Sequence, residues 1–363
     1  MKKKLFYFGA FSPFTLQDAA VVAEASADGY HDVVIAIEQL DKPSLFSITE
    51  RIKMVQETMQ WYDKVHNTHI SSSIEIVSYY GLPIYEANEQ GADTFIVAVK
   101  DKDAKICDTK LRLSRKIGRA LLSKPMGYRK VVVKHSKEYI EEAINLLFKS
   151  KEYIMLAKFV APPVHNMMMI YLLQSEYETC CKAARISWGT FVRNVSANAY
   201  HNLSHIAYIL NKYRLLVKDT KDKDYFFKSQ TFKAAVFFHD YVVGDEERSF
   251  EASKLPESAK GLFMATKHLG DTPENLNQEE QLIHDLDLAI LTDKGLYNNY
   301  RLGVRFEHAD ISDLEYIPKR LEVLEKLKHE IAENTKNFSR REIAQAMQNI
   351  ESEKACYISK PSK

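Results

Sequence analysis

The first 160 residues alternate short runs of β-branched or aromatic residues with longer amphipathic stretches. The runs that we predict as strands are "KLFYFGAF", "DVVIAI", "SIEIV", "TFIVAV" and "KVVV". The stretches between them, such as "TERIKMVQETMQWY" and "YGLPIYEANEQG", have the spacing of helices. Strands that alternate with helices are typical of a parallel sheet covered on both faces. The pattern therefore predicts an α/β domain with a Rossmann-like parallel sheet.

From about Met167 the β-runs disappear and long periodic stretches replace them, such as "HIAYILNKYRLL", "FKAAVFF" and "EYIPKRLEVLEKLKHEIAENT". Their spacing predicts helices. The stretch "FVAPPVHN" between the two halves contains a Pro-Pro pair, and proline disfavours a helical conformation in the residue before it. We therefore predict a boundary near Val164, with an α/β domain over residues 1–164 and an all-α domain over residues 165–363.

The overall composition argues against several classes of function. Lys and Arg exceed Asp and Glu by a formal charge of only +1, so no general field attracts nucleic-acid polymers or anionic membranes. The four cysteines show neither a disulfide framework nor the spacing of a zinc site. The apolar run of "MKKKLFYFGAF" is interrupted too early for a signal peptide, and no stretch reaches the roughly 20 apolar residues of a membrane span. We expect a soluble, cytoplasmic protein whose partner is a small phosphorylated molecule. The sequence is compatible with a homo-oligomer.

The loop after the first strand carries the first candidate binding residues. "FYFGAFSPFTLQD" combines a glycine turn with a Pro-containing loop before a helix, which can present backbone amides to a phosphate. On this motif, and on "KPSLFSITERIKMVQETM", "IEIVSYYGLPIYEANEQGADTFIVAV" and "FVAPPV", residues 1–164 resemble the phosphopantetheine adenylyltransferases of the nucleotidylyltransferase superfamily. The resemblance implies a nucleotidylyltransferase-like fold, with Gly9, Phe11, Thr15 and Lys42 as cofactor-binding residues.

The departures from that family fall on its chemistry. Asp18 stands where the family has the histidine that meets the ATP phosphates, and Ser12, Gln17 and Ala98 replace other motif residues. Adenylyl transfer builds negative charge on the phosphate oxygens, which a carboxylate at this helix start would repel. We therefore predict a catalytically inactive binding or regulatory domain. A bifunctional nucleotidylyltransferase-hydrolase and a non-catalytic nucleotide-binding regulator are the alternatives.

The second domain contains histidines and aspartates in a recurring arrangement. "YHNLSHI" sets His201 and His205 four positions apart, on one face of a predicted helix. "TFKAAVFFHDYVVG" places His239 and Asp240 in an otherwise apolar run, where a buried charge needs a metal or a hydrogen-bonded partner. Asp287 precedes a further apolar run in "HDLDLAIL". Histidine and carboxylate ligands suit a divalent cation that activates water.

Residues 165–352 resemble the predicted metal-dependent HD phosphohydrolases of bacteria in "YHNLSHI", "FFHDYVVGDEERS", "ATKH", "DLDLAIL", "YRLGVRFEH" and "EIAQAMQNIESE". The resemblance implies an all-α HD domain with His205, His239, Asp240 and Asp287 as metal ligands. "YHNxxH" also occurs in cyclic-nucleotide phosphodiesterases, in which the first histidine is the general acid. By that similarity His201 is the proton donor, and His201 and Asp240 are the expected catalytic residues. The ion could be Mn, Mg, Fe, Co, Ni or Zn.

Several neighbours carry weaker expectations. A supporting role in the site is expected for Asn202, Glu246, Glu247, Lys267 and His268. We expect Asn202 to orient a ligand or a phosphate oxygen, and His268 to contact phosphate or a second metal ion. The competing interpretations are an ordinary acidic helix start for the two glutamates and a helix-end histidine for His268.

Two further pairs are expected to be structural. Residues 285 and 287 project about 200° apart on a helix, so both cannot face one ion, and His284-Asp285 is interpreted as a surface pair. Arg305 and Glu307 are expected to form an ion pair. The sequence as a whole predicts a metal-dependent phosphohydrolase, either a phosphomonoesterase or a phosphodiesterase, that acts on a nucleotide or a related phosphate ester.

Overall fold

A computed structural model describes residues 3–27, 32–39, 44–80, 83–100, 126–133, 135, 137–150, 152–218, 229–268 and 272–359. The chain divides into two compact units, Met1–His165 and Asn166–Lys363. The division lies next to the boundary predicted near Val164. The Pro-Pro pair forms the first turn of a helix over Pro162–Cys180, where proline is tolerated because its missing N–H would have no intrahelical partner.

The first unit contains a five-stranded sheet whose strands have the β-branched and aromatic residues expected from the sequence. The strands are β1 (Lys4–Gly9), β2 (Asp32–Glu38), β3 (Ile74–Tyr79), β4 (Thr94–Lys100) and β5 (Gly127–Val133). The helices of this unit are α1 (Leu16–Ser26), α2 (Ile48–His66), α3 (Pro83–Glu89), α4 (Lys137–Ser150) and the short α5 (Tyr153–Leu156). The predicted parallel α/β sheet is confirmed.

The strand order is β3-β2-β1-β4-β5, and all neighbouring pairs are parallel. The two faces of the sheet carry separate buried clusters, one with Tyr7 and Val22 and the other with Phe6 and Tyr79. The strands β2 and β3 are added on one side of β1, and the later strands β4 and β5 on its other side, so the strand order switches between β1 and β4. Open α/β sheets bind ligands at the carboxyl ends of the strands beside such a switch point, and the loop after Gly9 lies there.

The second unit is built from helices. They are α6 (Pro162–Cys180), α7 (Trp188–Val195), α8 (Leu203–Lys218), α9 (Gln230–Phe238), α10 (Glu246–Ser253), α11 (Lys260–Met264), α12 (Gln278–Leu288), α13 (Tyr297–Glu307), α14 (Asp313–Glu333) and α15 (Arg340–Ile358). Every strand in the described ranges belongs to the first unit, so the predicted helical second half is confirmed. Among the helices that the structure describes, none combines the length and apolarity needed to cross a bilayer.

The helices around the candidate site begin with strong sequence signals. Asn277 accepts hydrogen bonds from two backbone N–H groups at the start of α12, and Glu280 bonds back to the Asn277 backbone. Ser312 caps α14, and Ser339 forms the same reciprocal arrangement with Glu342 at the start of α15. Such caps supply partners for backbone groups that have none inside the helix, and each contributes about 1 kcal/mol. The helices α12 and α14, which carry Asp287 and Glu330, are therefore fixed at their first turns.

Candidate metal centre

Three segments of the second unit bring four candidate ligands together. His205 lies in the first turn of α8, and Asp287 lies in the last turn of α12. His239 caps the C-terminus of α9, with Asp240 directly after it. Both residues were predicted to lie inside an apolar helix, but α9 ends at Phe238. The end of that helix lets the two consecutive side chains turn toward the same point.

The ligand atoms of these four residues all lie within 4.8 Å of one another. His205 Nε2 lies 3.1 Å from His239 Nε2 and 2.9 Å from Asp287 Oδ1. His239 Nε2 lies 2.9 Å from Asp240 Oδ2 and 3.5 Å from Asp287 Oδ1. Ligands about 2.0–2.2 Å from a common ion are themselves separated by about 3 Å in these geometries. The residues therefore fit a divalent transition-metal ion.

The outer nitrogens of the two histidines support the same arrangement. His239 Nδ1 lies 2.8 Å from the carbonyl oxygen of Val236, which can only accept a hydrogen bond. His205 Nδ1 lies 3.0 Å from the hydroxyl oxygen of Tyr200. Metal-bound histidines usually donate their second N–H to such a partner, which leaves Nε2 with its lone pair free for the ion. The ring orientations are therefore those of a preformed site.

Burial and charge act against each other in this cluster. Burial favours the neutral forms, but the carboxylates of Asp240 and Asp287 outweigh it and raise the pKa of His239 well above its usual value. Burial alone would raise the pKa of the Asp287 carboxyl. The charge of His239, and then the hydrogen bonds with His205 and His239, outweigh burial and lower this pKa well below its usual value. Two partly buried carboxylates in contact with two buried imidazoles need positive charge, which protons or a divalent cation can supply.

His201 reaches the same site from outside the ligand set. It lies in the turn before α8, so the prediction that it shares a helical face with His205 is wrong. Its Nδ1 lies 2.7 Å from Glu307 Oε2, and the other carboxylate oxygen accepts backbone hydrogen bonds from Tyr200 and His201. Burial lowers the pKa of His201, but Asp240 and then Glu307 outweigh burial and raise it to about 9. The ring is therefore oriented and charged at neutral pH.

Glu307 was expected to pair with Arg305, and that prediction is wrong. The guanidinium of Arg305 instead lies 2.9 Å from Asp313 Oδ1 and also donates to backbone carbonyls of His308 and Ile311. The two side chains lie on α13 and point to different partners. The sequence offered a weak signal for the role of Glu307, since it lies in the stretch "YRLGVRFEH" that carries the family resemblance.

The expected supporting residues separate into three groups. Asn202 donates to the carbonyls of Asn198 and Ala199 and accepts from the Ser204 backbone, so it holds the turn before α8 and has no N–H left to donate to a phosphate oxygen. Lys267, His268 and Glu246 line the cavity beside the metal cluster, whereas Glu247 is exposed and does not. His268 Nε2 lies 2.8 Å from Asp287 Oδ2 and thereby orients that carboxylate.

His284 and Asp285 are not surface residues, and that interpretation is wrong. Both are 0–1 % exposed. Asp285 Oδ1 lies 2.8 Å from His284 Nδ1, and its other oxygen accepts backbone hydrogen bonds from Lys336 and Asn337. Burial lowers the pKa of His284, but Asp285 and then Glu330 outweigh burial and raise it to about 9. The expectation that residues 285 and 287 face different ways is confirmed, because Asp287 belongs to the metal cluster.

A cavity of about 1050 Å³ borders the metal cluster. His201, Asp240 and Asp287 lie at one wall, and Lys267 and Lys319 provide positive charge. A second group of lining residues is apolar or aromatic, namely Val243, Tyr300, Val304, Ile311, Tyr316, Val323 and Leu327. Cavities that join a small polar centre to an apolar wall are typical of small-molecule sites.

The predicted cofactor residues of the first unit have different surroundings. Gly9 ends β1, whereas the Phe11 side chain is fully buried beside Tyr7 and can meet a ligand only through its backbone. Thr15 caps α1, and its hydroxyl donates to Asp18 Oδ2 at 2.7 Å. The other Asp18 oxygen accepts from the Tyr7 hydroxyl at 2.7 Å. Lys42 lies outside the described residues.

No protein-family model matches this sequence, and no curated protein is significantly similar to it.

Proposed function

We propose that the second unit is a metal-dependent phosphohydrolase of the HD type that acts on a small phosphate ester, such as a nucleotide. The observation that carries this proposal is the convergence of His205, His239, Asp240 and Asp287, of which the two aspartates also line the cavity. A mixed set of imidazole and carboxylate ligands suits Mn, Fe, Co, Ni or Zn, and Mg is the hard-cation alternative. When bound, a divalent cation would neutralise phosphate charge and lower the pKa of a water molecule.

His201 is the proposed proton donor to the leaving oxygen. Its Nδ1 is held by Glu307, so Nε2 is the ring nitrogen left for a substrate. The carboxylate contact fixes the ring orientation and favours the imidazolium form that can donate a proton. The position of His201 in the cavity wall, beside Asp240, sets this donor next to the proposed metal centre. This arrangement favours catalysis over passive metal binding.

The substrate class follows from the charge and polarity of the cavity. Among the described residues, no carboxylate is paired with Lys267, so its ammonium group can bind a phosphate oxygen. The partly exposed side chains of Val304, Ile311 and Val323 offer an apolar surface for a flat group. A phosphate joined to a nucleobase combines these two features. The near-neutral charge of the chain agrees with a small substrate.

For the first unit we propose a nucleotidylyltransferase-like scaffold that binds or regulates without adenylyl transfer. Thr15 and Asp18 satisfy each other at the start of α1, where the related enzymes place a phosphate. The Asp18 carboxylate is therefore already bound to the groups that would attract an anion. This arrangement favours the scaffold over the bifunctional alternative.

The test is a panel of phosphomonoesters and phosphodiesters assayed with Mn, Mg, Fe, Co, Ni and Zn. We expect metal-dependent phosphate release or diester cleavage in the purified protein, and we expect Asp240→Asn to lose both activity and bound metal. Asp310→Asn is the matched control, because Asp310 is exposed and remote in sequence from the ligands. Equal metal content in Asp240→Asn and the parent protein would contradict the metal site.

A further inference from the structure

A second group of side chains that could hold a metal lies next to the first, and of its three members only His268 contacts the proposed hydrolase site. One ring nitrogen each of His268 and His284 and a carboxylate oxygen of Glu330 all lie within 4.8 Å of one another. His284 comes from α12 and Glu330 from α14, while His268 follows α11. His284 and Glu330 are 0 and 1 % exposed, and His268 is partly buried. Two histidines and one carboxylate are a ligand set found in protein zinc sites.

The outer contacts of His284 are those of a metal-bound histidine. Its Nδ1 lies 2.8 Å from Asp285 Oδ1, which accepts the N–H and leaves Nε2 facing Glu330 Oε1 at 2.8 Å. Asp285 is itself fixed by Gln281 and by backbone N–H groups of Lys336 and Asn337. Carboxylate–histidine–metal triads of this kind orient the histidine ring and make its metal-binding nitrogen more basic.

His268 has one ring nitrogen that the hydrogen bonds of this group leave without a partner. Its Nε2 is used by Asp287, at 2.8 Å. Its Nδ1 is buried and has no hydrogen-bond partner among the described residues. A buried polar atom without a partner costs about 1–3 kcal/mol. An ion between the three side chains would give this nitrogen a partner.

The charge of the cluster points the same way. If His284 carries a proton between Asp285 and Glu330, the two buried carboxylates keep one net negative charge, which only hydrogen bonds from neutral groups offset. A divalent cation bound to a neutral His284 would balance both carboxylates. Burying an unbalanced charge is unfavourable, so the cation is the better match.

We propose that His268, His284 and Glu330 form a second divalent transition-metal site that is distinct from the cluster at His205 and Asp287. Ligands on opposite sides of an ion lie about 4.2 Å apart at most, so a small side-chain rotation brings all three atoms to binding distance. The ion would join the segment after α11 to α12 and α14. It would also hold His268 against Asp287, and in this way it would couple the second site to the first without contacting substrate.

The proposal is tested by the number of ions that each chain binds and does not rest on phosphate hydrolysis. Metal-free full-length protein is titrated with Co²⁺, and bound cobalt is measured by elemental analysis and by visible absorption. We expect two ions per chain in the parent protein and one in Glu330→Gln. Asp240→Asn should also bind one, at the second site. Glu333→Gln, an exposed change on the same helix, is the matched control and should bind two.

A Glu330→Gln protein that binds the same number of ions as its parent would overturn the proposal. A parent protein whose single ion is lost in Glu330→Gln and kept in Asp240→Asn would instead contradict the first site. Because Glu330 is buried, its variant could fail to fold, so a crystal of the parent protein grown with Co²⁺ provides a second measurement. An anomalous peak between His268, His284 and Glu330 is expected there. A peak at the first site alone would refute the second site while leaving the proposed hydrolase intact.

Discussion

Replacing His201 by glutamine should separate proton donation from metal binding. The imidazole contacts Glu307 and lines the cavity, whereas the four proposed ligands are other residues. General-acid assistance is worth about 10²–10⁴-fold, which corresponds to about 3–5 kcal/mol in the activation free energy. We expect kcat to fall by that factor for an ester with an alkoxide leaving group. The loss should be much smaller for p-nitrophenolate, which needs little protonation to leave.

The pKa of His201 sets the pH dependence of this effect. Because the pKa is raised to about 9, the charged, proton-donating form predominates at pH 7 and is lost as the pH rises through that value. The rate should therefore be flat below the pKa and fall about tenfold per pH unit above it. A bound cation offsets the charge of Asp240, so the fall begins no higher than about 9. Glu307→Gln removes a cause of the raised pKa and should move the fall to lower pH.

The assay measures kcat/KM against pH for two esters that differ only in leaving group, with bound metal determined in each variant. His329→Gln, an exposed histidine change, is the control and should match the parent protein. Equal losses on good and poor leaving groups would refute the donor role of His201. Loss of metal from His201→Gln would instead identify His201 as a metal ligand. If the rate of Glu307→Gln falls at the same pH as that of the parent protein, Glu307 does not raise the pKa of His201.

Three other predictions concern the substrate, the fold and the first unit. Lys267→Met should raise KM about 10–100-fold because a charged hydrogen bond contributes about 1.5–3 kcal/mol, while Lys294→Met, an exposed change, should leave KM unaltered in the same steady-state assay. Glu353→Gln should lower the free energy of unfolding by about 3–5 kcal/mol in urea, because it leaves the buried Arg320 guanidinium without its carboxylate; an unchanged midpoint would contradict this. With Asp18 hydrogen-bonded to the Thr15 cap of α1, the protein should release no pyrophosphate from ATP and phosphopantetheine, and sustained release would restore the transferase alternative.

The sequence by itself determined the parts of this protein that depend on local pattern. Period-two and buried apolar runs predict the five strands, and helical periodicity predicts the second half. The resemblance to HD phosphohydrolases also singled out His205, His239, Asp240 and Asp287, whose ligand atoms lie within 4.8 Å of one another, and their role as metal ligands stays a prediction. The opposite directions of residues 285 and 287 follow from helix geometry alone.

Tertiary structure decided which distant side chains complete the site. Glu307 reaches His201 across 106 positions, and Glu330 reaches His284 across 46. Neither contact leaves a periodic signal, because a carboxylate on an amphipathic helix looks the same whether it meets water or a buried imidazole. His284-Asp285 was assigned to the surface because residues 285 and 287 project in different directions, which does not reveal what the second face of the helix contacts. Its burial depends on how α12 packs in the second unit, which no local pattern of residues specifies.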